Sequence, residues 1–94
     1  MKISYYFNSN GRFDIFWENE NGQIYREDGP AIEYSSGTRQ WFKNGVLHRE
    51  DGPAIVLKDG RHEYYLNGIQ YFKEDYWKEI ERLKKKERIN DCES

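Results

Sequence analysis

Apolar and polar positions alternate in short bursts through most of the chain, and the period lengthens near its end. Ile3, Tyr5 and Phe7 alternate with Lys2, Ser4 and Tyr6, the two-residue period of a half-buried strand. Asn8, Ser9, Asn10 and Gly11 turn the chain, and Phe13, Ile15 and Trp17 alternate in a second strand. After a polar connection over 18–22, the pattern predicts short strands over 23–26, 31–35, 38–43, 46–49, 54–58, 61–66 and 69–72. From Lys73 the period becomes helical. Tyr76, Ile80 and Leu83 fall at i, i+4 and i+7, with Trp77 widening the stripe. Glu74 and Asp75 suit a first turn, and Lys84, Lys85, Lys86 and Arg88 suit the last turns of a helix ending near Ile89. Residues 90–94 are expected to fray. The predicted fold class is mainly β (α+β): an antiparallel β-hairpin meander with one C-terminal amphipathic α-helix.

The strands recur with a fixed period. Asn21-Gly22-Gln23-Ile24-Tyr25-Arg26-Glu27-Asp28-Gly29-Pro30-Ala31-Ile32 returns 23 positions later as Asn44-Gly45-Val46-Leu47-His48-Arg49-Glu50-Asp51-Gly52-Pro53-Ala54-Ile55. Trp41 and Phe42 likewise return as Tyr64 and Tyr65. A third copy opens at Asn67-Gly68 and stops after Tyr71. Such a period marks a repeat architecture. Asn-Gly is a two-residue hairpin signal, because a type I′ turn needs positive φ at both central positions. Gly-Pro forces a bend or an exit from the sheet, since Pro cannot donate to a ladder. Ala31 and Ala54 follow as small residues where the backbone can pack closely. Arg26 and Arg49 each precede two carboxylates at the bend, which reads either as a turn-bracing cluster or as a ligand site.

The unit Asn-Gly-x-x-His-Arg-Glu-Asp-Gly-Pro-Ala, with Gly60 and Tyr64-Tyr65 following the copy at 44–55, resembles the MORN-like repeat of small bacterial, phage and giant-virus proteins, some of the antitoxin-repeat type. The match covers about 21–71. The resemblance implies curved antiparallel hairpin stacks, no catalytic residues, and roles in binding proteins or membranes. It divides a single domain, 1–94, into a capping hairpin (1–20), repeats (21–72), a helix (73–89) and a tail (90–94), the two ends capping a short array. It further implies a small phage or mobile-element protein that docks on a host protein and inhibits it, a CRISPR-type defence complex being one target class. An antitoxin paired with a neighbouring toxin is an alternative.

Composition narrows the classes. Aromatics make up 17% of 94 residues against a hydrophobic content of 36%, so rings must supply most of the buried area. Net charge is −2, with 8 basic and 10 acidic side chains in 1–72 and 7 of each in 73–94. Nucleic acid is therefore not expected as a direct ligand, nor a membrane surface. No apolar run reaches the ~18 residues of a spanning helix. The single cysteine, Cys92, excludes an internal disulfide. With no basic-then-apolar leader, the expected location is the cytoplasm.

Catalytic constellations are sparse. His48 beside Glu50 and Asp51 could act as an acid–base group or a metal ligand, but the other copy carries Tyr25 there. His62 and Glu63 point to opposite sides of a strand. A non-catalytic protein without cofactor or metal is expected. The informative feature is the aromatic doublets. In a strand, neighbours point to opposite faces, so each doublet sends one ring to each side of the sheet. One helix shelters one side. A protein-binding surface is therefore expected from Phe16, Trp17, Trp41, Phe42, Tyr64, Tyr65, Tyr71 and Trp77. Its partner would be a host protein or complex. A homodimer through exposed faces or edges is a second reading, and a strongly curled sheet that buries both sides is a third. Arg26, Arg49, Lys84, Lys85 and Arg88 are candidate contacts to phosphates or an acidic partner. With the rings stacking bases, those cations would suit an oligomeric sponge for a small nucleotide signal.

Overall fold

The computed structural model describes the backbone of residues 2–7 and 11–93 and the side chains of residues 3–6 and 11–85. Two strands open the chain, β1 (Lys2–Phe7) and β2 (Phe13–Glu18), paired one-to-one from Lys2 opposite Glu18 to Phe7 opposite Phe13. Residues 8–10 of the expected turn lie outside the described residues. Short strands follow: β3 (Ile32–Glu33), β4 (Arg39–Gln40), β5 (Phe42–Lys43), β6 (Val46–Leu47) and β7 (Ile55–Val56). The series closes with β8 (His62–Leu66), β9 (Ile69–Tyr71) and the helix α1 (Lys73–Glu93). All pairings are antiparallel. Seven strands form one sheet in the order β1-β2-β3-β4-β7-β8-β9, and β5 and β6 form a separate hairpin. The predicted mainly β meander with a C-terminal helix is the observed fold.

The expected strand over 38–43 is divided at Trp41. The Trp41 N–H donates to the Ala54 carbonyl at 2.7 Å, while the Trp41 carbonyl accepts from His48 N–H at 3.0 Å. Trp41 thus ends the sheet ladder and begins the hairpin. Trp17 repeats the device, donating to the Ala31 carbonyl at 2.8 Å and accepting from Tyr25 N–H at 3.0 Å. The expected strand over 23–26 shrinks to one bridge, Ile24 opposite Glu18.

Of the four Asn-Gly pairs, the first has Asn10 outside the described residues, and two of the other three have the expected backbone. Asn44 (φ 51°) and Gly45 (φ 88°), and Asn67 (φ 51°) and Gly68 (φ 82°), are left-handed at both positions. At Asn21-Gly22 only Gly22 is left-handed (φ 78°), because this loop is one residue longer: Trp17 and Trp41 stand 24 apart rather than 23. The Asn19 side chain organises it, its carbonyl oxygen accepting from Asn21 N–H (2.9 Å) and Gln23 N–H (3.0 Å). Consecutive units are tied by Gly45 N–H to the Ile24 carbonyl (2.9 Å) and Gly68 N–H to the Leu47 carbonyl (2.8 Å).

The ladder register sets two rows, one on each face of the sheet. Ile32 opposes Gln40, Gln40 opposes Ile55 and Ile55 opposes Glu63. One residue further along, the row reads Trp17, Ala31, Trp41, Ala54, Tyr64, alternating large ring and methyl. Both alanines are fully buried. Tyr64 and Leu66 then pack against Tyr76 and Ile80 of α1, with Tyr71 beside them. The helix covers only this end. The molecule measures 54 × 31 × 18 Å, with a radius of gyration of 15.5 Å against about 12 Å for a compact domain of this length.

α1 runs on to Glu93, past the expected end near Ile89, since no Gly or Pro interrupts 85–93. Its last turn is therefore not basic: the lysine run lies mid-helix, away from the end where the dipole favours cations. Among the described residues no helix is long and apolar enough to cross a membrane.

Candidate functional site

Each Arg-Glu-Asp-Gly-Pro bend folds its arginine back onto the sheet. Arg49 Nε donates to Asp51 Oδ1 at 2.9 Å and its Nη1 to the Pro53 carbonyl at 3.0 Å. Its guanidinium carbon lies 3.9 Å from the Trp41 ring centroid. Arg26 does the same with Asp28 (3.1 Å), the Pro30 carbonyl (3.3 Å) and the Trp17 ring (4.3 Å), and adds Glu33 at 3.7 Å. The motif spacing follows from this geometry. Asp two residues on meets Nε, the Pro carbonyl four residues on meets Nη1, and Gly three residues on must be small. A Cβ on Gly52 would stand 3.0 Å from Arg49 Cζ, and one on Gly29 3.1 Å from Arg26 Cζ. Each guanidinium is thus held between a glycine and an indole.

At the third unit the helix takes over. Phe72 occupies the arginine position and is 84% exposed, but Tyr76 is fully buried. The Tyr76 ring lies 4.8 Å from Tyr64, where a guanidinium would sit in the other units. Its hydroxyl donates to the Arg49 carbonyl and accepts from Gly52 N–H at 3.3 Å. Burial raises the Tyr76 phenol above its ordinary value, with the Gly52 N–H pulling the other way. Burial likewise raises Tyr65, seconded by the Glu63 carboxylate beside it.

Between the two bends lies an open groove of about 850 Å³, walled by Tyr25, Trp41 and Phe42 and by both arginine clusters, with Lys84 of α1 at one side. Its charges balance: Glu27, Asp28, Glu50 and Asp51 against Arg26, Lys43, Arg49 and Lys84. His48 Nδ1 accepts from Asn67 N–H at 2.9 Å, so the ring proton sits on Nε2, 3.2 Å from Glu50 Oε2. His48 is thereby a strut between units. Among the described residues no three His, Cys, Asp or Glu side chains converge on one point.

The expected protein-binding residues divide. Trp41 and Phe42 share the groove. Phe16 is half-buried between Tyr6 (4.9 Å) and Tyr34 (6.2 Å). Trp17 is half-buried beneath Arg26, its Nε1 enclosed without a hydrogen-bond acceptor among the described residues. Tyr65 and Tyr71 are half-buried at the other end of the sheet. Trp77 is 41% exposed on α1. Tyr64 is a correction: it is a core residue, 7% exposed, because α1 packs directly on it. Arg26 and Arg49 line the groove with their Nε and Nη1 already engaged by their own carboxylates and carbonyls. Lys85 is exposed on α1 apart from the groove, and the side chains of Lys86, Arg88 and Cys92 lie outside the described ones.

Sequence reasoning missed Tyr25 as a groove wall and the arginine lids over Trp17 and Trp41. The signal for the lids was present: both units carry Arg, then Gly three residues on, and an upstream Trp. No protein-family model, curated protein or solved structure matches the chain.

Proposed function

We propose that the chain is a non-catalytic protein-binding module that docks through the groove between its two bends. The observation that carries this reading is the half-buried aromatic wall of Tyr25, Trp41 and Phe42, held on a rigid floor by the arginine lids. Aromatic groups on a fixed backbone make favoured anchors for a protein partner. The balanced charge of the lining suits a mixed protein surface and disfavours a polyanion. The commitment of Arg26 and Arg49 within the chain weighs against the nucleotide-sponge reading. A finer reading, docking on a host protein to inhibit it, rests on the resemblance to MORN-like repeat proteins of phage and bacteria. Tyr25→Ala with Phe42→Ala tests the groove. The pair should abolish capture of the partner from host lysate while the thermal melt stays close to that of the parent. Capture that persists in the folded variant would count against the groove.

A further inference from the structure

The N-terminal hairpin carries a surface that the groove does not use. β1 is one edge of the seven-stranded sheet, and its six residues pair with β2 without a bulge. Of the six residues of β1 only Lys2, at its first position, is charged, and residues 3–7 contain no charge and no proline, so most of the strand lacks the usual devices that keep an edge from pairing. On the face that Ile3 shares with its ladder partner Trp17, Ile3 is 38% exposed, Tyr5 61% and Phe13 52%. Tyr5 and Phe13 make an edge-to-face ring contact at 6.2 Å. The opposite sheet edge is different, for β9 has only three residues and runs directly into α1.

We infer that β1 is a homodimer interface, in which two copies pair antiparallel about a two-fold axis through Ser4. A second copy is the occupant the strand itself fits. The uncharged run 3–7 of one edge meets that of the other, the register centred on Ser4 sets Lys2 against Tyr6 and not against a second lysine, and the ladder of the sheet continues. Side-chain alternation limits a two-fold register to one centred on a residue, so that facing side chains share a face. Centring on Ser4 sets Ile3 of one copy against Tyr5 of the other, twice by symmetry. Such aromatic and β-branched cross-strand pairs are favourable. The small Ser4 lies at the axis. Because the opposite edge of the seven-stranded sheet, β9, has three residues and leads into α1, the assembly closes at two copies instead of growing into a fibre.

The test uses the full chain in sedimentation velocity, with a cross-linking arm. The parent should show a reversible monomer–dimer equilibrium over about a hundredfold range of concentration. Ile3→Lys with Tyr5→Lys should weaken it more than about tenfold, since like charges then face each other across the axis. Ser4→Cys in a Cys92→Ser background should give a disulfide-linked dimer under mild oxidation, because facing Cα atoms across a ladder fall within disulfide reach. Ser36→Cys, in an exposed turn, is the control and should not link. A parent that stays monomeric throughout overturns the inference. So does a dimer that persists in the folded lysine variant, or Ser4→Cys linking no faster than Ser36→Cys. Groove docking is unaffected by any of these outcomes.

Discussion

Gly52→Ala isolates the arginine lid. Gly52 is not in the left-handed region, so alanine fits its backbone, and in the absence of Arg49 the change should stabilise by about 0.4–1 kcal/mol through the unfolded chain. With Arg49 in place the new Cβ meets Cζ at 3.0 Å, Nε at 3.2 Å and Nη1 at 3.3 Å. The guanidinium, being the far end of a flexible side chain, moves before the backbone does. Its departure forfeits the stack on Trp41, about 0.5–2 kcal/mol. It also weakens two hydrogen bonds worth about 0.5–1.5 kcal/mol each, of which the bond to the largely exposed Asp51 is the lesser. Partial reseating keeps part of this. The net expectation is a loss of about 1–2 kcal/mol, or a fall in Tm of about 5–15 °C for a chain this small. The decisive assay is a double-mutant cycle by urea denaturation: Gly52→Ala in the parent and in Arg49→Ala. The sign should reverse, destabilising in the first and neutral or stabilising in the second. Equal destabilisation in both backgrounds would refute the lid and place the cost in the backbone.

Other outcomes follow from the same geometry. Ala54→Leu forces a branched side chain into a fully buried site between Trp41 and Tyr64 and should lower stability by about 1–3 kcal/mol, read by thermal melting and near-UV circular dichroism. Tyr76→Phe leaves Gly52 N–H without its partner and should lower stability by about 1–3 kcal/mol in urea. Raised phenols hold their stabilising contribution below the unfolded value near 10 and lose it as pH climbs through the folded one. The parent should therefore weaken on the alkaline side more steeply than Tyr76→Phe, and parallel curves would remove Tyr76 as a cause. Gly45→Ala places a Cβ at φ 88° and should lower Tm, whereas Ser36→Ala, in an exposed turn, should leave it within error.

The hairpins were legible because Asn-Gly carries a backbone demand that little else satisfies, and at Asn44 and Asn67 both φ values meet it. The helix was legible from the spacing of Tyr76, Ile80 and Leu83. Its end was not, since Ile89 is followed by residues that are poor helix formers but do not stop one. The division of the strand at Trp41 escaped because a residue can serve two ladders without any local sign. Trp17 hid the parallel, its loop being one residue longer than the repeat. Tyr64 looked like surplus surface only because strand alternation says which way a ring points and not what lies over it. The guanidinium lids were the least legible, for they join residues that propensity treats separately.

Each lid reaches back to a ring of the preceding segment, Arg26 onto Trp17 and Arg49 onto Trp41, so each bend fastens its unit to the one before it. Neighbouring units are joined by the sheet ladder and by the backbone links Gly45 to Ile24 and Gly68 to Leu47. Amide exchange should therefore be graded along the long axis, slowest near Tyr76 and fastest in the first hairpin, as a zip releases from its unclasped end. Splicing in one more copy of residues 44–66 should lengthen the molecule without disturbing either terminus. Length would then be a property the gene can tune in steps of 23 codons.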